Sequence, residues 1–312
     1  MANITAEKQI RLYAENIVFI VQGVSQILGN GIILGTVASF KRLWRKEFIF
    51  PTGLALGDLM IGINQLGNGI WRTYTTAVGI SYLPVNVTVC IKRPLIHFAL
   101  LGGFLVPTVL LLISIDRLIA CLSIRVYTRL SLKTNVWLFC AAFLIALVLY
   151  ICCIVNVSCS GQKGLMVDER CALGLILSPT ANDIYWIYQV VLGLSSVALY
   201  GLAVTFGGYL RPSSLSEVLQ IQRRRQAKVT RTLAWVVGFT LILYVIPAFG
   251  LLTLLKMKSR LLIVGQLCWI LINCNAAANI VIYLSRNSEL KKYIVLFLKC
   301  SKSVHKPIST DE

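Results

Sequence analysis

Apolar residues fall in seven runs of roughly twenty, near 16–39, 49–72, 95–121, 135–157, 184–207, 229–255 and 261–284. Each is long enough to cross a hydrocarbon core of about 30 Å as a helix. Short polar segments separate them. Most runs also hold a polar or helix-breaking residue where lipid would penalise it. The first holds Asn30 between Gly29 and Gly31, and the second holds Asp58 in Leu54–Leu59. The third contains Pro107 and ends in Asp116-Arg117-Leu118. The sixth contains Pro247, and the seventh Asn273, Asn275, Asn279 and Tyr283. Asn275 and Asn279 are one turn apart on one face. Past the seventh run, Leu290, Ile294, Phe297 and Leu298 recur at helical spacing. That pattern predicts an amphipathic helix lying on the membrane surface. Cys300 at its end is a palmitoylation candidate.

The pattern predicts an all-α membrane protein: a seven-transmembrane helix bundle with a short amphipathic C-terminal helix. Residues 1–15 form the N-terminal segment, 16–284 the bundle, 285–300 the surface helix and 301–312 the tail. Connections are too short for a second folded domain. The composition agrees, with 57% hydrophobic and 13% charged residues and a mean hydropathy of +0.78. The first fifteen residues show no apolar core or cleavage site of a signal peptide.

A net charge of +18 would suggest nucleic acid in a soluble protein, but its distribution gives a different account. With the N-terminus outside, 20 of the 30 basic residues fall in the inner segments. This is the positive-inside bias, and it places the N-terminus outside and the C-terminus in the cytoplasm of a multi-pass membrane protein. Lys256, Lys258 and Arg260 run against it in one outer loop. Glycosylation sequons at Asn3 and Asn86 lie in outer segments. So do Cys90, Cys159 and Cys171. A bridge from Cys90 to the 158–183 loop would tie two helix tops together. Cys171 is preferred over Cys159 because it lies further into that loop. The only histidines are His97 and His305, and no nucleophile–base pair or metal cluster is visible, so no enzyme is expected.

In order, these motifs resemble those of rhodopsin-like G-protein-coupled receptors, from about Asn16 to Cys300. Gly29-Asn30, Leu54–Leu59 with Asp58, Asp116-Arg117-Leu118, Tyr127, Pro247 and Asn279-Ile280-Val281-Ile282-Tyr283 match family motifs. ISIDRLIAC with its downstream Tyr is similar to the nematode serpentine chemoreceptors of class sx. The chain departs from the rhodopsin-like pattern at several points. Leu118 takes the third place of Asp-Arg-Tyr, and Ile280 replaces the seventh-helix Pro. Val245 stands where a Trp is usual, Ala227 where many members have an acid, and Ile124 where a Pro is common. Cys90 and Arg117 are 27 residues apart, about two more than usual, which implies a bulge or a shifted pairing.

The resemblance implies a chemosensory receptor that binds an extracellular small molecule or peptide and promotes nucleotide exchange on a heterotrimeric G protein. Coupling and activation would fall to Asp116, Arg117, Tyr127, Tyr200, Arg231, Pro247, Asn279 and Tyr283. A ligand pocket would involve Ala99, Gly102, Gly103, Tyr188, Tyr244, Phe249 and Trp269. Ala99 stands where amine receptors have an Asp, which argues against an amine. Asp58 with Asn30, Asn275 and Asn279 would form a polar core able to hold sodium, although Val106 stands where a hydroxyl is common. Membrane lipids are the other partners, and nucleic acid is not one. The rival classes are a seven-helix ligand-gated channel subunit and a receptor-like protein that does not couple.

Overall fold

The computed structural model describes residues 6–159, 164–209, 234–256, 262–286 and 288–304. In chain order the long helices are α1 (Ala6–Ser39), α2 (Lys46–Val78), α4 (Pro94–Leu122), α6 (Leu132–Cys159) and α8 (Pro179–Tyr209). After a helical run at 234–240 come a π-helical turn (Leu241–Val245), α9 (Ile246–Lys256), α10 (Leu262–Arg286) and α11 (Ser288–Val304). Short elements join them: α3 (Val87–Ile91), α5 (Ile124–Arg129), α7 (Leu173–Ile176), β1 (Pro84–Asn86) and β2 (Met166–Asp168). Among the described residues six helices are apolar and long enough to cross a membrane. The seventh bundle helix, α2, is as long, but Asp58, Asn64, Gln65 and Asn68 make it more polar. Several helices outrun their apolar runs, because hydropathy marks the lipid-facing length and not the helix end.

α4 is the axis of the bundle. In its most apolar window 72% of residues are buried, against 17% for α6 at the rim. Small residues bring α2 and α4 close. A Cβ on Gly102 would stand 3.0 Å from the Gly57 carbonyl, and one on Gly57 would meet Val106 at 2.8 Å. Gly79 ends α2 in the left-handed region at φ 81, its N–H closing onto Thr75 and Thr76. Pro94 opens α4 at its first turn, where a missing N–H costs nothing.

One end of the bundle is covered by a small lid. β1 and β2 pair antiparallel, Val85 opposite Val167. The Cys90–Cys171 disulfide pins the lid, with Cα atoms 5.5 Å apart. Cys90 belongs to α3 and not to α4, and the turn at Lys92-Arg93 absorbs the extra residues before Arg117. Cys159 is a free, exposed thiol.

At the other end α11 docks on α1. Leu290 and Ile294 are buried, Phe40 and Tyr293 rings lie 5.0 Å apart, and Arg45 pairs with Glu289 at 3.0 Å. Of the apolar face read from the sequence, Leu290 and Ile294 pack on the bundle and Phe297 lies against Gly35 of α1, while Leu298 stays exposed.

Candidate functional site: a lidded cavity and a buried arginine cluster

Two clusters lie at opposite ends of α4. At the end away from the lid, Arg117 is 1% exposed. Its Nε donates to the Asp116 carboxylate at 2.9 Å, and Nη2 contacts the same oxygen. Nη2 also donates to the Tyr127 hydroxyl at 2.9 Å. Two charge-assisted partners make burial of a guanidinium tolerable. Tyr127 is positioned by α5, whose first turn is capped when Ser123 Oγ accepts from the Val126 N–H. Burial pushes the Tyr127 phenol up to about 12.

Lys46, the first residue of α2, secures this arrangement. Its Nζ donates to the carbonyls of Tyr127 at 2.6 Å and Leu130 at 3.2 Å. The same ammonium stands 4.0 Å from the Tyr127 ring centre, within cation–π range. Asn135 of α6 donates to the Lys46 carbonyl at 3.3 Å. The sequence counted Lys46 only as an inner charge and passed over Asn135.

Midway along the bundle Asp58 is buried, and the Asn279 amide donates to it at 3.3 Å. Asn30 and Asn275 are also buried. Asn30 Nδ2 and the side-chain oxygens of Asn275 and Asn279 have no hydrogen-bond partner among the described residues. Orphaned amide oxygens beside a carboxylate suit a hard cation, which prefers oxygen ligands. Ile280 fills the space over Gly29 of α1, so a Cβ there would collide with it. Pro247 is buried at the start of α9. It lacks an N–H and crowds the preceding turn, which opens into the π-helical stretch Leu241–Val245. Tyr200 is buried in α8.

Under the lid lies an outer vestibule of about 380 Å³ that meets a narrower inner cavity of about 60 Å³. Arg72, Leu173, Trp186 and Trp269 line both. The two indoles meet edge to face, centroids 6.0 Å apart, at the junction. Of the residues expected at a pocket, Ala99, Gly103, Tyr244 and Trp269 line the inner cavity. Gly102 is used in the α2–α4 contact instead. Tyr188 bonds Thr108 at 2.6 Å and packs on Phe104. Phe249 is 57% exposed on the outer face of α9.

The cavity also has a polar wall that sequence reasoning missed. Ile61, Gln65, Asn68 and Arg72 of α2 all line the inner cavity. Their spacing puts them on one helical face, and that periodicity was the available signal. Gln189 joins from α8 and accepts a hydrogen bond from the Tyr244 hydroxyl.

A family model described as serpentine type 7TM GPCR chemoreceptor Srsx matches residues 27–298. The chain belongs to this family. The seven-helix bundle, the lid disulfide and the C-terminal helix are therefore those of an Srsx chemoreceptor, a multi-pass membrane protein of a receptor class and not an enzyme class. No curated protein matches the chain. Asn86 of the Srsx chain is half-buried, and its side chain caps α3 through the Thr88 N–H at 2.9 Å. Asn3, Ala227 and Arg231, and the side chains of Tyr283 and Cys300, lie outside the described residues.

Proposed function

We propose that this Srsx chain is a chemosensory receptor of the plasma membrane that couples to a heterotrimeric G protein. In this reading the disulfide lid and the N-terminus face outward, and the Arg117 cluster and α11 face the cytoplasm. The positive-inside charge bias supports that orientation. The observation that carries the coupling reading is the state of Arg117: buried, and held by Asp116 and Tyr127 at the end of α4 opposite the cavity.

Ligand entering the lidded cavity would act on Trp269 of α10 and on Tyr244, which lies within the π-helical turn just before Pro247. That turn is the weak point of its helix, and its straightening would swing the segment that precedes residue 241. Release of Arg117 from Tyr127 then exposes a cationic contact for the G protein. Sodium, held by Asp58 with the side-chain oxygens of Asn275 and Asn279, would favour the resting arrangement by binding it more tightly.

The test is guanine-nucleotide exchange with receptor in lipid nanodiscs and each major G-protein class. Exchange that one class shows and Arg117→Ala lacks supports the reading. Exchange no faster than in empty nanodiscs for every class counts against it.

A further inference from the structure

The cavity wall carries a cation that makes no direct ion pair among the described residues, although the Glu15 charge acts on it from across the vestibule. Arg72 lines both the vestibule and the inner cavity. A guanidinium has five N–H donors. Arg72 uses one, from Nε to the Arg170 carbonyl at 3.3 Å. Its Cζ also lies 5.2 Å from the centre of the Phe19 ring. Among the described residues no carboxylate forms an ion pair with it. Glu15, which shares the vestibule, accepts from Gln266 Nε2 at 3.1 Å instead. The neighbouring Arg170 is paired with Asp168 at 3.0 Å, so the lid offers Arg72 no spare acid there.

A second group on the same face of α2 also lacks a partner. Gln65 lines the inner cavity, is 2% exposed, and its Nε2 donor is unsatisfied. Donors of two kinds therefore line one cavity, the Gln65 amide buried and unsatisfied, which is costly, and the Arg72 guanidinium half-buried. The rest of the vestibule is largely apolar: Phe19, Leu173, Trp186, Leu251, Leu254 and Trp269. Its volume suits a small organic molecule.

We propose that the ligand of this cavity is an amphipathic organic carboxylate. Its carboxylate accepts from the free N–H groups of Arg72, with Gln65 Nε2 as a further donor. Its apolar body lies in the vestibule against Trp186 and Trp269. An Arg fork suits a planar carboxylate, which it can grip with two parallel hydrogen bonds. This assignment rests on the reading of the cavity as the ligand site. It does not depend on G-protein coupling.

The experiment is thermal stabilisation and tryptophan-fluorescence titration of the purified full-length receptor. The probes are a matched panel of arylalkyl and medium-chain carboxylates, their primary amides and their amines. Acids should outrank their amides and amines in wild type. Arg72→Gln should weaken the best acid about tenfold or more, since a buried charge pair loses one partner. Arg72→Lys should weaken it less. The acid-over-amide order in wild type stands as evidence even where Arg72→Gln fails to fold. Stabilisation led by amides or amines, acid binding equal in wild type and Arg72→Gln, or no acid binding across the panel would overturn the proposal. Neither binding readout contains a G protein, so failure here is distinct from failure to couple.

Discussion

Arg117 donates from Nη2 to the Tyr127 hydroxyl at 2.9 Å, and each residue is only 1% exposed. Hydrogen bonds to a charged group contribute about 1.5–3 kcal/mol. Tyr127→Phe removes this one and leaves a buried donor unsatisfied in the resting arrangement. Basal nucleotide exchange should rise by about three- to tenfold, read in nanodiscs without ligand. An unchanged basal rate would mean that Tyr127 does not restrain Arg117.

The phenol also sets a pH expectation. Its pKa is raised by burial to about 12, above the ordinary value near 10. The phenol therefore stays protonated through the working pH range, and its oxygen accepts from Arg117 without change there. The ratio of Tyr127→Phe to wild-type basal exchange should therefore be flat between about pH 6 and 9, which a buffer series would show.

The lid disulfide closes a loop of 81 residues. Bridges of that span typically contribute about 2–4 kcal/mol. Cys171→Ser should lower the thermal midpoint of the purified receptor and weaken ligand binding together. Cys159→Ser, at a free exposed thiol, should change neither. Equal effects of the two substitutions would show that Cys159 competes for Cys90.

Val245 packs against α8, and its Cγ2 would be 2.7 Å from a Cβ on Gly193. The small residue and the branched one fill one notch. Gly193→Ala should destabilise by about 1–3 kcal/mol through overpacking. Val245→Ala should recover much of that loss in the double variant, because contacting residues are not additive. Additive losses in thermal unfolding would separate the two sites.

The seven runs, the polar residue in most of them and the packing face of α11 were legible because lipid and helical periodicity constrain residue type directly. Asp58 and Arg117 were legible for the same reason, since an ionised group in an apolar run has few innocent explanations. The lid hairpin was not, because Pro84–Asn86 and Met166–Asp168 are too short to show a period of two. Nor was the role of Lys46, which looks like any membrane-edge cation until α5 brings Tyr127 and Leu130 to it. Arg72 was concealed by its place at the last position of the second run, where a basic residue looks like a membrane-edge charge. Val245 and Ile280 looked like lost motif residues, but the space each occupies is defined by a glycine on another helix, Gly193 and Gly29.

Asp58→Asn should abolish any sodium dependence of basal exchange, measured as the ratio of rates in sodium and in potassium buffer. The substitution keeps the shape and removes the charge that an ion among these oxygens requires. A ratio unchanged by Asp58→Asn would dissociate the polar core from sodium.

The central claim is that Arg117, freed from Tyr127 and Asp116, engages a G protein. It is tested most directly by capture of nucleotide-free heterotrimers on the purified full-length receptor, with Arg117→Ala alongside and the panel acids present and absent. Wild type should capture one G-protein class, more of it with a bound acid, and Arg117→Ala should lose that capture. Well-folded receptor that captures none of them with a bound acid present, or that captures equally well as Arg117→Ala, would contradict it.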